Sequence, residues 1–114
     1  MPPQMRQDGD TAVIELAGRI TLGDVVDEFR ALWTQAMEAG AQHILVNLSQ
    51  VSFMDSSGIG MIIRCHSAVT QRGGKLRLVG ANSTVRQAFK VTRLDNVFEF
   101  HDSEQSAMSA AAGK

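Results

Sequence analysis

His43-Ile44-Leu45-Val46-Asn47-Leu48, followed closely by Val51-Ser52-Phe53-Met54-Asp55-Ser56-Ser57-Gly58-Ile59-Gly60, is the stretch that decides the fold. Ile44-Leu45-Val46 is a short apolar run between polar residues, the pattern of a strand buried on both faces. Beyond the polar cluster at Asp55-Ser56-Ser57 the period changes. Ile59, Ile62, Ile63, His66 and Val69 recur at helical spacing until Gly73-Gly74, which predicts a helix over residues 57–71 with those side chains facing the core. A buried strand that enters a helix through a short polar turn is the repeating unit of an α/β sheet.

Toward the N-terminus, residues 24–39 read as a second amphipathic helix. Val25, Phe29, Leu32 and Ala36 share a face, with Val26, Trp33 and Met37 beside them. Thr21 or Asp24 is placed to cap its start, and Gly40 to stop it. Before it lie a short edge strand (4–7), a turn at Asp8-Gly9-Asp10 and a strand (11–16) that Ala17-Gly18 is expected to close. Toward the C-terminus come a strand (75–79), a helix (83–90) capped by Asn82 or Ser83, a strand (97–100) and a helix (103–111) opened by Ser103. Strands alternate with helices, so the fold class is α/β, with helices packed against a sheet. The 114 residues suit one domain, with an ordered core over about 4–109 and frayed ends at 1–3 and 110–114.

Bulk composition removes several functions. Net charge is −1 and no basic stripe stands out, so the electrostatic footprint of a nucleic-acid binder is missing. One Trp, five Phe and no Tyr leave no aromatic platform for stacking on bases. Cys65 is the only cysteine, which forbids an internal disulfide and fits a reducing cytoplasm. No apolar run approaches the roughly 20 residues that span a bilayer, and Met1-Pro2-Pro3-Gln4 lacks a signal-peptide pattern. A soluble, cytoplasmic protein is expected, without nucleic-acid or membrane partners.

The turn at Asp55-Ser56-Ser57-Gly58 carries the functional information. Asp and Ser are good caps, so one of them capping the helix while the others stay solvated is a sufficient account. Against it, two adjacent serines exceed what one cap needs. Gly58 and Gly60 each cost a helix about 1 kcal/mol relative to Ala, which makes sense where another backbone or a ligand approaches closely. Phe53 and Met54, just before the turn, read either as core or as apolar knobs for a partner.

A serine here has three possible chemical uses. As a nucleophile it needs a nearby base, yet His43, His66 and His101 are not placed by sequence to activate Ser56, and the loop does not match a Gly-x-Ser-x-Gly elbow. Cys65, the other potential nucleophile, lies mid-helix and reads as a packed thiol. As a phosphate cradle the loop lacks both glycine-rich motifs, and Gly73-Gly74-Lys75 follows a helix, the wrong order. As a phosphoryl acceptor it would carry about −1.5 to −2 charge at a helix start, where the dipole tolerates it. Such a site switches binding rather than folding. Trp33 and the scattered methionines read as packing residues, and Arg64 and Arg72 as solvated, with Arg64 able to face a partner.

These residues resemble the phosphorylation loop of STAS-domain anti-sigma factor antagonists. The surrounding segments are similar too: Leu16-Ala17-Gly18-Arg19-Ile20, His43–Leu48, Gly73-Gly74-Lys75-Leu76 and Val85-Arg86-Gln87-Ala88-Phe89. The resemblance implies a STAS-type mixed β-sheet of four to five strands with helices packed mainly on one face. It implies no enzymatic activity, no cofactor and no metal. The unmodified protein would bind an anti-sigma factor with serine kinase activity and so free the sigma factor. Phosphorylation of Ser56 would switch that binding off, and a PP2C-type phosphatase would reset it. Phe53, Met54, Asp55, Ser57, Gly58, Ile59, Gly60 and Thr21 are the implied partner-binding residues. Many members carry acidic residues in a Gly-Glu-Leu-Asp type of stretch where this chain has Gly18-Arg19-Ile20-Thr21. The alternative is a non-enzymatic STAS interaction module of a stress-signalling or transport assembly.

Overall fold

The computed structural model describes residues 2–112. In chain order the elements are β1 (Gln4–Asp8), β2 (Thr11–Ile20), α1 (Asp24–Glu38), β3 (His43–Met54), α2 (Ser56–Gln71), β4 (Leu76–Val79), α3 (Ser83–Val91), β5 (Glu99–His101) and α4 (Glu104–Ala112). The five strands lie side by side in sequence order. β1 is antiparallel to β2, and every later pair is parallel. Parallel crossovers are right-handed, and each of the three steps here moves the same way across the sheet. α1, α2 and α3 therefore all land on one face, and the mixed five-stranded sheet with helices mainly on one side is the expected one.

Side-chain alternation divides the apolar residues between the two faces. Ala12, Ile14 and Leu16 of β2, Ile44, Val46 and Leu48 of β3, and Leu76 and Leu78 of β4 join Phe29, Ile62 and Phe89 from the helices in the main core. The residues between them, Val13, Leu45 and Val79, point the other way and are covered by α4 through Ala107, with Met108 beside it. Burial on both faces is why β3 reads as a continuous apolar run at Ile44-Leu45-Val46.

Several boundaries differ from the sequence expectation. Ala17-Gly18 does not close β2: the strand continues to Ile20, with register irregularities between Glu15 and Ala17 and between Gly18 and Arg19. Gly18 takes a φ of 79°, so the glycine marks a bulge rather than an end. Neither Thr21 nor Asp24 caps α1; the N-cap is Gly23, at φ 140°, with no side-chain bond. On α1 the buried residues are Val26, Phe29, Trp33, Ala36 and Met37, while Val25 and Leu32 are only half-buried. On α2 the buried line is Ile59, Ile62, Cys65 and Val69. Ile63 is 40% exposed, and His66 is half-buried, meeting Phe98 edge-on at 4.9 Å between ring centroids. The last strand starts two residues later than the pattern suggests, leaving Val97 exposed in the preceding loop. Of the ends expected to fray, Met1, Gly113 and Lys114 lie outside the described residues, whereas Ala111 is buried within α4.

Candidate functional site

The loop that joins β3 to α2 is held by the neighbouring strand. Ile20 and Met54 are the last paired residues of β2 and β3, and the Asp55 N–H donates to the Ile20 carbonyl at 3.2 Å. This fixes Asp55 in an extended conformation as the N-cap of α2. Its Oδ1 accepts from the N–H of Ser57 at 2.9 Å and of Gly58 at 3.1 Å. The capping question that the sequence left open is settled: Asp55 alone does the work, and neither serine side chain is used. Ser56 is exposed in the first turn and Ser57 half-buried; neither hydroxyl has a hydrogen-bond partner among the described residues. No acidic residue other than the cap lies in this turn, so the positive end of the helix dipole faces outward at Ser56.

The other expected contact residues divide by burial. Phe53 and Thr21 are half-buried at the rim, and the Arg19 guanidinium sits over the Phe53 ring, 4.4 Å from its centroid. Met54 is not a surface knob. It is 3% exposed and lies in the main core with Val51, three residues before it, because the register irregularity opposite Gly18 and Arg19 breaks the simple alternation of β3 here. Ile59 is 5% exposed because it opens the core-facing line of α2, and Gly58 is buried between them. A Cβ on Gly58 would lie 2.6 Å from Met54 Cγ and 2.9 Å from the Ile20 carbonyl oxygen, so this glycine admits close packing inside the protein rather than a ligand. Gly60 differs: nothing lies within 4 Å of its would-be Cβ.

Sequence reading missed the other wall. A shallow groove of about 370 Å³ runs beside Ser56, floored by Phe53, Met54 and Ile59 and bounded across from them by Gln87, Ala88 and Val91 of α3. Val91 is 70% exposed, and Leu22, in the loop that leaves β2 beside Asp55, is 81% exposed. Of these two, Val91 shares the groove with Ser56, so a large apolar side chain stands open to solvent beside that residue. Val91 closes a helix with the spacing Val85-Ala88-Phe89, so its apolar character alone did not distinguish it from core.

No histidine hydrogen-bonds Ser56 among the described residues. His66 packs on Phe98, and His43 is buried at the start of β3. Burial pushes the Cys65 thiol pKa up, away from the reactive thiolate. One nucleophile–base–carboxylate sequence does occur elsewhere. His101 meets Ser106 Oγ through Nδ1 at 2.7 Å and Glu99 through Nε2 at 2.6 Å. Glu99 also accepts from Arg77 at 2.8 Å and pairs with Lys75. None of the described cavities is lined by Ser106 or His101. Together with the bonds from Arg6 and Asn47 to Glu104, this network ties α4 to the sheet. No cluster of three or more metal-ligating side chains occurs among the described residues, and no helix is long and apolar enough to cross a membrane.

Comparisons with known proteins bear on the family and the fold. Over 68 residues the chain is 29% identical to the anti-sigma F factor antagonist of Paenibacillus polymyxa. That match covers 60% of this chain and 58% of the relative, so the chain spans little more than half of that protein's length. Among solved structures it is similar to the anti-sigma factor antagonist SpoIIAA in its unphosphorylated form, with TM-score 0.86, 28% identity, and coverage of 98% of this chain and 97% of the other. It is also similar to the Bacillus cell fate determinant SpoIIAA in the phosphorylated form, with TM-score 0.77, 25% identity, and coverage of 95% and 97%. The family model described as the STAS domain matches residues 2–107, and the chain therefore belongs to the STAS domain family.

Proposed function

We propose that this chain is an anti-sigma factor antagonist that works as a binding switch and not as an enzyme. In this reading it forms one STAS domain and acts in the cytoplasm. The unmodified form binds an anti-sigma factor that is also a serine kinase, which frees the sigma factor. The kinase phosphorylates Ser56, the association ends, and a PP2C-type phosphatase restores the starting state. One observation carries the reading. Asp55 satisfies the helix start unaided, so Ser56 is left exposed, unbonded and dispensable to the fold. The pair of SpoIIAA structures, phosphorylated and unphosphorylated, lends support by likeness.

The energetics suit a switch at this place. A phosphoserine dianion at the first turn of α2 meets the positive end of the dipole, so the fold tolerates it. A partner covering Leu22, Val91 and the groove would have to bury that charge. Taking a binding equilibrium from mostly bound to mostly free needs about 5.5 kcal/mol, and an unpaired buried charge supplies energy of that order. The proposal is tested by capturing a candidate anti-sigma kinase from the same genome on immobilised variants. Ser56→Asp loses the kinase and Ser56→Ala retains it; equal capture by both variants refutes the switch.

A further inference from the structure

A second groove lies on the helix-covered face, between α1 and α2, and it has an unusual set of walls. Arg30 and Trp33 line it from α1, and Arg64, Ser67, Ala68 and Gln71 from α2, around a volume of about 290 Å³. It is separate from the Ser56 loop: Arg64 lies eight residues further along the same helix, about 12 Å at 1.5 Å per residue.

Apart from the Gln71 carbonyl and the Ser67 oxygen, the polar groups in these walls are donors. The two guanidiniums are donors only, as is the indole N–H, and the Ser67 hydroxyl accepts from Gln71 at 3.4 Å, which leaves its own hydrogen free. None of the six lining residues is acidic, and α2 carries no acidic residue along its whole length. Six cations elsewhere are engaged, while Lys90 and Arg93, on and beyond the end of α3, stand apart from this groove without a partner among the described residues. Arg6, Lys75 and Arg77 pair with carboxylates, Arg72 donates to the Met37 carbonyl, and Arg19 and Arg86 lie over phenylalanine rings. Arg30 and Arg64 have no such partner among the described residues, although both line the same groove. The indole nitrogen of Trp33, which lines the groove, is itself buried and also finds no acceptor among the described residues. Buried donors are nearly always satisfied, and like charges gathered without a counter-charge call for one.

The groove is too small and too open to enclose a ligand, since small-molecule sites are concave cavities of about 300–1,000 Å³ that bury most of the ligand. Its donors instead line two helical turns of exposed surface. We propose that this groove docks an acidic segment of a protein partner, its carboxylates received by Arg30 and Arg64 and the adjoining chain lying along Ser67 and Gln71. The inference does not depend on Ser56 being a phosphoacceptor.

Trp33 is the only tryptophan of the chain and lines this groove, so in the folded protein its emission is the local reporter of binding there. The test titrates the full chain at low ionic strength with a hexaglutamate peptide, with hexaglutamine, and with inorganic phosphate. Hexaglutamate is expected to give a saturable change that salt reverses, and hexaglutamine and phosphate none. The exposed double variant Arg30→Gln/Arg64→Gln, checked for folding by circular dichroism, is expected to bind hexaglutamate roughly five- to tenfold more weakly, as the loss of two surface charge pairs implies. No saturable response, an unchanged affinity in the folded double variant, or phosphate binding as tightly as the peptide would each overturn the proposal.

Discussion

Alanine at positions 58 and 60 should move stability in opposite directions, although both are glycines within the first turns of the same helix. Each substitution gains about 1 kcal/mol of intrinsic helix propensity. At Gly60 the added methyl meets nothing within 4 Å and the backbone is not left-handed, so the gain stands. At Gly58 the methyl would sit 2.6 Å from Met54 Cγ, 2.9 Å from Ile20 Cγ2 and 2.9 Å from the Ile20 carbonyl oxygen. Apolar carbons rest at about 3.5–4.0 Å, so the first contact is roughly 1 Å too short. Met54 and Ile20 are 3% and 1% exposed and have little room to retreat. The Ile20 carbonyl is held by the Asp55 N–H that orients the cap. Relief must come from lifting the start of α2 away from the end of β2. Overpacking of this kind costs about 1–3 kcal/mol, here toward the upper end because all three contacts are short. The net expectation is a loss of about 1–2 kcal/mol for Gly58→Ala and a gain of up to about 1 kcal/mol for Gly60→Ala. Urea denaturation followed by Trp33 fluorescence and far-ultraviolet circular dichroism measures both. Equal shifts in the two variants, or a stabilised Gly58→Ala, would refute the packing account of this loop.

Other consequences are similarly accessible. Asp55→Ala removes the only side-chain cap of α2 and should cost about 1 kcal/mol in urea unfolding, whereas Ser56→Ala should leave stability within about 0.5 kcal/mol, as for an exposed residue without partners. Gly74→Ala should be more damaging than either, because its Cβ would fall 1.6 Å from the Gln42 carbonyl oxygen, a backbone atom with no freedom to move aside; soluble expression and thermal midpoint test this. Hydrogen bonds from His101, then from Arg77 and Lys75, hold the Glu99 carboxyl down at about 2 against an ordinary 4.5. A carboxyl whose folded-state pKa is depressed adds stability that is full above its unfolded value and is lost as pH falls toward the folded one. The urea midpoint of the wild type should therefore drop more steeply between pH 4.5 and 2 than that of Glu99→Gln; parallel curves would remove Glu99 from the α4 anchor.

The alternation of strands and helices was legible because β3 and β4 are buried on both faces and α1 and α2 on one, and each condition leaves its own period in the sequence. What the sequence concealed depends on neighbours. Ala17-Gly18 has the composition of a strand end, yet a bulge uses glycine for the same backbone freedom, and only pairing with β3 separates the two. Ile62 and Ile63 are equally apolar and adjacent, so periodicity alone could not choose which line, Ile62–Cys65 or Ile63–His66, faces the sheet. At the candidate site, the polar turn and the exposed serine were readable from residues 55–58. The burial of Ile59 was readable from its place on the core-facing line of the helix, whereas the choice of core for Met54 and the burial of Gly58 were not, because they follow from the Ile20–Met54 register. Val91, distant in sequence, joins the site only through the packing of α3. The donor-lined groove was likewise hidden, since Arg30 and Arg64 lie on different helices and each alone reads as a solvated charge.

The claim on which the functional account rests is that Ser56 is the residue modified. Incubating the purified chain with its cognate anti-sigma kinase and ATP, then mapping phosphate by tandem mass spectrometry, tests it directly. A single added phosphate on Ser56, abolished by Ser56→Ala and retained in Ser57→Ala, is the expected result. Phosphate on Ser57 or at a site remote from the loop, with Ser56 unmodified, would contradict it.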